Sequence, residues 1–414
     1  MQGLNILYIN HYAGSLKHGM EFRPYYMARE WLKKGHSVRV IAGDFSHLRT
    51  INPSVKKDFE TENIDGIEYQ WIKTGEYQGN GLKRALTMFR FVWKLRRKAK
   101  KLAREFKPDV VISSSTYPLD TYAAQKIAKI AKCKYLHESH DIWPLTLTEI
   151  GGMSKNNPFV KVLAMAEKSC YKNAFKIVSV LPDANKHMLN HGLCDENKFI
   201  YIPNGIAVED WNNFENVPEE HQNLVDKLKK ENKFIVCYLG GHAISNYLEV
   251  LIDAARICTD KDIAFVLVGK GVEKEKLEKR VAEENIDNVY FLPPVNKKAV
   301  PTMLSQADLL YIGAKPCKLY EYGVSMNKLY DYMMSARPIV NAVRASNNEV
   351  EQANCGIYVE PVGENIAQAI TKIKYLDENT LKTMGENGKN WVLKNCSYDI
   401  LADSFLEAIA FERS

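Results

Sequence analysis

The stretch "FIVCYLGGHAISNYLEVLIDAA" (residues 234–255) decides the fold. Its first six residues form an unbroken apolar run of strand length, and Gly240 and Gly241 then stop it. Further on, apolar residues recur at helical spacing, which predicts a helix over 248–258. Ser245 or Asn246 is expected to open it, with Glu249 as a capping partner. A fully buried strand, a glycine turn and an amphipathic helix make the repeating unit of a parallel α/β sheet.

The same rhythm extends in both directions. Downstream, "IAFVLVG" (263–269), "NVYFLPPV" (288–295), "ADLLYIG" (307–313), "RPIVNA" (337–342) and "CGIYVE" (355–360) read as strands. Upstream, strands are expected at 5–9, 38–43, 67–72, 110–113, 134–137, 177–180 and 199–202, with helices at 21–34, 83–106, 118–131 and 158–171. The run "YIPNGIAVEDWNNFENVPEEH" (201–221) breaks the pattern with Pro, Asn-Gly and acidic residues. A chain of 414 residues exceeds one ordinary core. Two α/β domains, 1–205 and 206–390, are therefore expected, followed by a helical segment at 391–414 that could pack back on the first.

Composition excludes several classes. No apolar run reaches the roughly 18 residues of a membrane span, and no leader is read before "LNILYIN". The eight cysteines are scattered without CxxC spacing, so a reduced, cytoplasmic chain without a zinc site is expected. Charge is uneven. Residues 1–190 hold 31 Lys and Arg against 17 Asp and Glu, net +14, whereas 191–414 hold 25 against 33, net −8. The first half is thus expected to meet something anionic.

In parallel sheets, ligands lie beyond the carboxyl ends of strands, so the residues just after strands matter most. After the first strand, "NHYAGSLKHGMEFRPYYMARE" offers Gly14 and Gly19 for close approach and a helix opening near Glu21 and Arg23 for an anion; a plain surface loop is the competing reading. "HESHDIWPLTLTEIGG" (137–152) places His140 and Asp141 in a loop after a strand, where a polar pair faces a ligand more often than a core. His137 reads as a buried strand-end histidine, and HxxH without companions does not make a metal site. Gly240, Gly241 and His242, and then Gly269, Lys270 and Gly271, suit phosphate oxygens or simply tight turns; neither is the loop of nucleoside triphosphatases.

In "YGVSMNKLYDYM" (322–333), Ser325, Asn327 and Lys328 lead into a helix with Asp331 one turn on. A mobile cation and a carboxylate at that offset suit a nucleoside diphosphate, Lys328 for phosphate and Asp331 for the ribose hydroxyls. The alternative is a surface ion pair, which the apolar body "LYDYMM" disfavours.

Between Lys83 and Lys107 stand eleven basic residues and one acid on a helix striped with Phe, Trp and Leu. That pattern suits an anionic membrane surface. No nucleic-acid module accompanies it, and a core helix with a solvated basic back is the alternative.

Together "NHYAGSLKHGMEFRPYYMAREW", "HDIWPLTLTEIGGMSKNNPF", "YIPNGI" and "YGVSMNKLYDYM" resemble the bacterial retaining glycosyltransferases of family 4, over nearly the whole chain. Within that family the chain is most similar to the O-antigen and capsule branch typified by N-acetyl-L-fucosamine transferases. The resemblance implies a GT-B fold, two Rossmann-like domains facing a deep cleft, with the acceptor on the first and a UDP-sugar, N-acetylated, on the second. It implies substrate contacts at Gly14, Gly19, Glu21, Arg23, Gly240, Gly241, His242, Lys270, Ser325, Asn327, Lys328 and Asp331, and catalytic roles for His140, Asp141 and Lys328. No metal and no cofactor are implied, and retention would follow from attack on the face that UDP leaves. The acceptor would be a polyprenyl-diphosphate-linked saccharide at the inner face of the cytoplasmic membrane. The family's two glutamates, eight positions apart, fall here on Gly323 and Asp331, with Glu321 out of register, and its phosphate-turn arginine is missing near His242. A UDP-sugar 2-epimerase of the same fold and a non-catalytic glycan-binding protein are the rival readings; a dinucleotide enzyme lacks its fingerprint.

Overall fold

The structure, a computed structural model, describes residues 3–79 and 81–410. The chain packs into two compact units. One takes the chain up to Asn204, a return segment Tyr322–Ser325, and everything from Tyr398; the other takes Gly205–Glu321 and Met326–Ser397.

The first unit is an eight-stranded sheet: β1 (Asn5–Ile9), β2 (Ser37–Gly43), β3 (Glu60–Ile64), β4 (Ile67–Ile72), β5 (Val110–Ser113), β6 (Lys134–Ser139), β7 (Lys176–Ser179) and β8 (Phe199–Tyr201). Their order is β3-β4-β2-β1-β5-β6-β7-β8, parallel except for β3 against β4. The order turns back between β1 and β5, which makes their carboxyl ends the place for a ligand. The helix Leu82–Phe106 buries Phe91, Leu95 and Ala99 completely in this unit's core. Each large apolar side chain so buried stabilises by about 1.5–3 kcal/mol.

The second unit has six parallel strands: β9 (Phe234–Leu239), β10 (Ile263–Val268), β11 (Val289–Leu292), β12 (Leu309–Gly313), β13 (Ile339–Ala342) and β14 (Gly356–Tyr358). They lie in the order β11-β10-β9-β12-β13-β14, the 3-2-1-4-5-6 pattern of a mononucleotide-binding sheet. The switch point is between β9 and β12, so the turn Gly240–His242 after β9 stands beside it.

Three elements depart from expectation. The strand β3 escaped notice because "ETENI" has almost no apolar alternation; its signal is the Asp65-Gly66 turn, both residues at positive φ, which closes the hairpin to β4. The expected linker contains a short helix, Val208–Asn212, and at its end begins an unexpected longer one, Glu219–Lys230, whose His221, Val225 and Leu228 form a buried stripe. The helix Glu378–Cys396 runs through Gly385 and Gly388. A Cβ at 385 would stand 2.0 Å from the Ala336 carbonyl oxygen, so that glycine permits close packing.

The segment expected at 391–414 divides. Residues up to 396 finish that helix in the second unit, and a separate helix, Tyr398–Ala410, packs on the first. There Trp31 Nε1 donates to the Ala402 carbonyl at 3.3 Å, Phe405 meets the Trp31 ring, and Lys34 pairs with Asp399 and Asp403. Residues 411–414 lie outside the described residues.

Candidate functional site

In the first unit, side chains stitch the switch point together. Asn10 Nδ2 donates to the Ser114 carbonyl (2.7 Å), and the His11 N–H donates to Ser115 Oγ (3.0 Å). The strand β6 runs two residues further than expected, which carries Glu138 into the sheet with no exposure. Its carboxylate accepts from Arg23 Nε (2.8 Å), Ser114 Oγ (2.6 Å) and the Tyr8 hydroxyl. Burial alone would raise its pKa; the Arg23 guanidinium, His140 and these hydrogen bonds reverse that and hold it far below the usual carboxylate range.

His140 sits at the edge of this network. Its Nε2 is 2.8 Å from Ser114 Oγ and 3.4 Å from Glu138 Oε2, and its side chain is 15% exposed. Since the Ser114 proton goes to Glu138, Ser114 Oγ accepts from His140 Nε2–H. That places a proton on Nε2, and Nδ1 has no partner among the described residues.

The neighbours expected to share the work have other tasks. Asp141 Oδ1 accepts from the Ile142 N–H (2.8 Å) and Thr146 Oγ1 (2.7 Å), which fixes the turn into the short helix Leu145–Glu149. Burial raises its pKa, against the Thr146 and Ile142 hydrogen bonds. Arg23, expected to contact substrate, is 1% exposed. Besides Glu138 it donates to the Ile202 carbonyl (3.0 Å) and the Pro203 carbonyl, so it ties the sheet to the end of the first unit. The N–H of Glu21 goes to the Tyr12 carbonyl (3.3 Å), and the helix begins only at Arg23, without a side-chain cap. Gly14 is buried under the loop, where a Cβ would lie 1.9 Å from the Gly19 carbonyl oxygen; Gly19 itself takes φ +97°. Both glycines serve loop closure.

In the second unit, Lys328 stands in the first turn of the helix Asn327–Met334. Its Nζ donates to the Tyr238 hydroxyl (3.1 Å) and to Asn246 Oδ1. Both neighbours also hold the turn after β9: the Tyr238 hydroxyl donates to the Gly241 carbonyl at 2.7 Å and Asn246 Nδ2 at 2.8 Å. Among the described residues no carboxylate pairs with Lys328, and burial lowers its pKa to about 8. Gly240 lets the Tyr238 hydroxyl lie close to the turn, since a Cβ there would stand 2.9 Å from that oxygen and 3.6 Å from Lys328 Cε. A desolvated ammonium held only by neutral acceptors, next to a glycine turn, is prepared for an anion.

Asp331, one turn on, is partly buried; burial raises its pKa while Lys297 pulls the other way. Its carboxylate has no hydrogen-bond partner among the described residues. Lys328 and Asp331 therefore share a helix face without neutralising each other by way of the long lysine stem, which turns to Tyr238. Asn327 is exposed at the helix start.

His242 does not replace the missing arginine. It is fully buried, neither ring nitrogen has a partner among the described residues, and burial, with Lys274 and Lys328, lowers its pKa to about 4. Gly269 and Gly271 are packing glycines: a Cβ at Gly269 would meet the Gly240 carbonyl oxygen at 1.9 Å, and one at Gly271 the His242 carbonyl oxygen at 2.2 Å. Lys270 contributes its carbonyl to the His242 N–H (2.8 Å), and its side chain is exposed. Glu249 pairs with Lys276 and caps nothing. Ser325 belongs to the first unit, where its Oγ and carbonyl accept from Asn204 N–H and Nδ2, each at 2.9 Å.

Sequence reading missed Glu138, Ser114 and Asp120. The buried Asp120 accepts from the Ser115 N–H (3.0 Å), and burial pushes it up to about 7. A carboxylate directly after His137 and two residues before His140 was the available signal for Glu138. One grouping, Glu167, His187 and His191, brings three possible metal-ligating atoms within 4.8 Å of one another. Two of its contacts are already hydrogen bonds, His187 Nε2 to Glu167 (2.7 Å) and His191 Nδ1 to the His187 carbonyl (2.8 Å).

Two Rossmann-like units with these strand orders make a GT-B fold, which the chain shares with several solved glycosyltransferases. HepE from Anabaena, crystallised with UDP and glucose, matches at TM-score 0.67 and 14% identity, over 99% of this chain and 100% of its own. Sucrose-phosphate synthase from Thermosynechococcus elongatus matches at 0.71 and 16%, over 98% of each. WaaG, a glycosyltransferase involved in lipopolysaccharide biosynthesis, matches at 0.65 and 15%, over 98% of this chain and 100% of its own. Residues 18–205 match the glycosyl transferase 4-like domain and residues 220–391 the glycosyl transferases group 1, and with these two domains the chain belongs to the GT4-like glycosyltransferases. A protein of Escherichia coli strain K12 named as a colanic acid biosynthesis glycosyl transferase, WcaI, is 24% identical over 212 residues. That match spans 50% of this chain and 50% of WcaI.

Proposed function

We propose that the protein transfers a sugar from a UDP-sugar to a polyprenyl-diphosphate-linked saccharide during assembly of a surface polysaccharide, with retention of configuration. The observation that carries this reading is Lys328, an unneutralised ammonium beside a glycine turn at the switch point of a mononucleotide-binding sheet. HepE, crystallised with UDP, and WcaI, named for colanic acid biosynthesis, support the choice of nucleotide and of pathway class.

In this reading the second unit binds UDP. Lys328 neutralises the charge that gathers on the diphosphate as the glycosidic bond breaks, and Asp331 accepts from the ribose hydroxyls. In the first unit, His140 hydrogen-bonds a hydroxyl of the transferred sugar through Nδ1, while Glu138 behind Ser114 stabilises positive charge on the imidazole ring. No side chain is assigned as a base, because attack on the face that UDP leaves lets the departing phosphate take the proton. The basic first unit receives the anionic acceptor, and the donor is an N-acetylated aminosugar, as in the fucosamine transferases that the sequence resembles.

The test is UDP release by the purified protein with a lipid-linked acceptor. A transferase releases UDP only when the acceptor is present. An epimerase alters the UDP-sugar without it, and a binding protein does neither.

A further inference from the structure

The first unit carries a groove of about 710 Å³ between the start of the helix Leu82–Phe106 and the segment 143–162. Nearly all of its lining is apolar, and Arg84 is its single charged residue. Large side chains at its mouth are left to solvent: Leu82 is 77% exposed, Leu86 45% and Ile150 61%. Such a concentration of apolar surface marks a docking place rather than ordinary surface scatter.

Two features give the groove a direction. At one end Trp143 and Thr146 line it, and Thr146 Oγ1 holds Asp141, the residue after His140. Arg84 lies at that end, its guanidinium 5.9 Å from the Trp143 ring centre and its Nε donating to the Tyr12 hydroxyl at 3.3 Å. Away from it, the helix face formed by Leu82, Leu86, Phe89 and Trp93 continues as Arg97, Lys100 and Arg104, all exposed. A ligand that fits has an apolar chain for the groove and an anionic group for its inner, catalytic end.

We propose that this groove holds the isoprenoid chain of the acceptor, with the acceptor's phosphate against Arg84. The inference rests on the lipid-linked acceptor proposed above and adds to it where the lipid goes. A concave slot of this size suits a chain better than it suits the flat plane of headgroups.

Calorimetric titration of the full chain, with saturating UDP to occupy Lys328, tests it with farnesyl diphosphate and inorganic diphosphate as probes. Farnesyl diphosphate binds at least tenfold tighter, because burying each methylene of its chain is favourable. Leu86→Asp and Ile150→Asp, both at exposed positions, abolish that difference while UDP affinity stays at the wild-type value. Arg84→Gln weakens farnesyl diphosphate without weakening farnesol. Equal binding of the two diphosphates by wild type overturns the proposal, and so does wild-type farnesyl diphosphate affinity in the two Asp variants. If those variants lose only vesicle binding, the groove is a membrane contact and holds no chain. Failure of the broader reading looks different: wild type then shows no acceptor-dependent UDP release at all.

Discussion

Lys328 Nζ lies 3.1 Å from the Tyr238 hydroxyl, which in turn donates to the carbonyl of Gly241. The helix that starts at Asn327 is thereby linked to the turn after β9 through a neutral phenol instead of a carboxylate. Removing the ammonium should leave the turn intact and cost the diphosphate its cation. Lys328→Ala should lower kcat/KM for the UDP-sugar by roughly 2–4 kcal/mol, the worth of a charge-assisted contact in a preorganised site. Steady-state kinetics decide this, and an unchanged kcat/KM removes Lys328 from the site.

The same lysine sets a pH dependence. Burial lowers its pKa to about 8, so above that pH the folded protein without ligand holds it neutral. A bound diphosphate favours the charged form and should draw a proton on binding between about pH 8 and 10.5. UDP titrated at pH 9 in buffers of different ionisation enthalpy should show proton uptake in wild type and none in Lys328→Ala.

Asp331→Asn should weaken UDP binding while the melting temperature holds or rises, because the carboxylate makes no hydrogen bond within the fold and burial disfavours its charge. Comparing UDP with its 2′-deoxy analogue checks the role. Equal affinity of wild type for both would show that Asp331 does not read the ribose.

His140→Ala should reduce kcat with little change in UDP affinity, since its free ring nitrogen is assigned to the sugar. Ser114→Ala should resemble it more weakly, because Ser114 orients His140 and links it to Glu138 without reaching the sugar itself. Normal turnover in His140→Ala would put the histidine outside the reaction.

Asp120 yields a stability prediction. Burial pushes its pKa up to about 7 from an ordinary 3.8, against the hydrogen bonds from Ser115. The folded state therefore holds a proton that the unfolded chain has lost between those values. On this account stability is intact below about pH 4 and falls as pH rises through 7, by up to about 4 kcal/mol. Asp120→Asn should flatten that fall, measured as the difference in urea unfolding free energy between pH 5 and pH 8.

The basic helix is expected to face a membrane surface, and the structure shows which of its residues remain available. Phe91 is fully buried, stacked on His11, and Lys94 is held by Asp58 at 2.8 Å. Replacing Arg97, Lys100 and Arg104 by Gln should instead reduce cosedimentation with anionic vesicles, at about 1 kcal/mol for each charge near the surface. Trp93→Ser should do so even in high salt. Equal cosedimentation of the variants and wild type would leave a helix that is merely solvated.

What the sequence determined by itself is what short-range chemistry can encode. Apolar runs ended by glycine marked β9, β10 and β12, and helical spacing marked the helix Leu82–Phe106, because strand and helix periods are local properties. The offset of Lys328 and Asp331 was legible for the same reason. Only the tertiary structure decided which polar residues are free. Arg23 and Glu138 stand 115 positions apart, and their ion pair takes the arginine out of solvent. Asn204 meets Ser325 across 121 positions, which draws a serine from the later half of the chain into the first unit. His242, placed by sequence on a ligand turn, lies beneath that turn because Gly271 lets the next loop close over it. A side chain's availability depends on what packs and bonds against it from distant segments, and no periodicity along the chain records that.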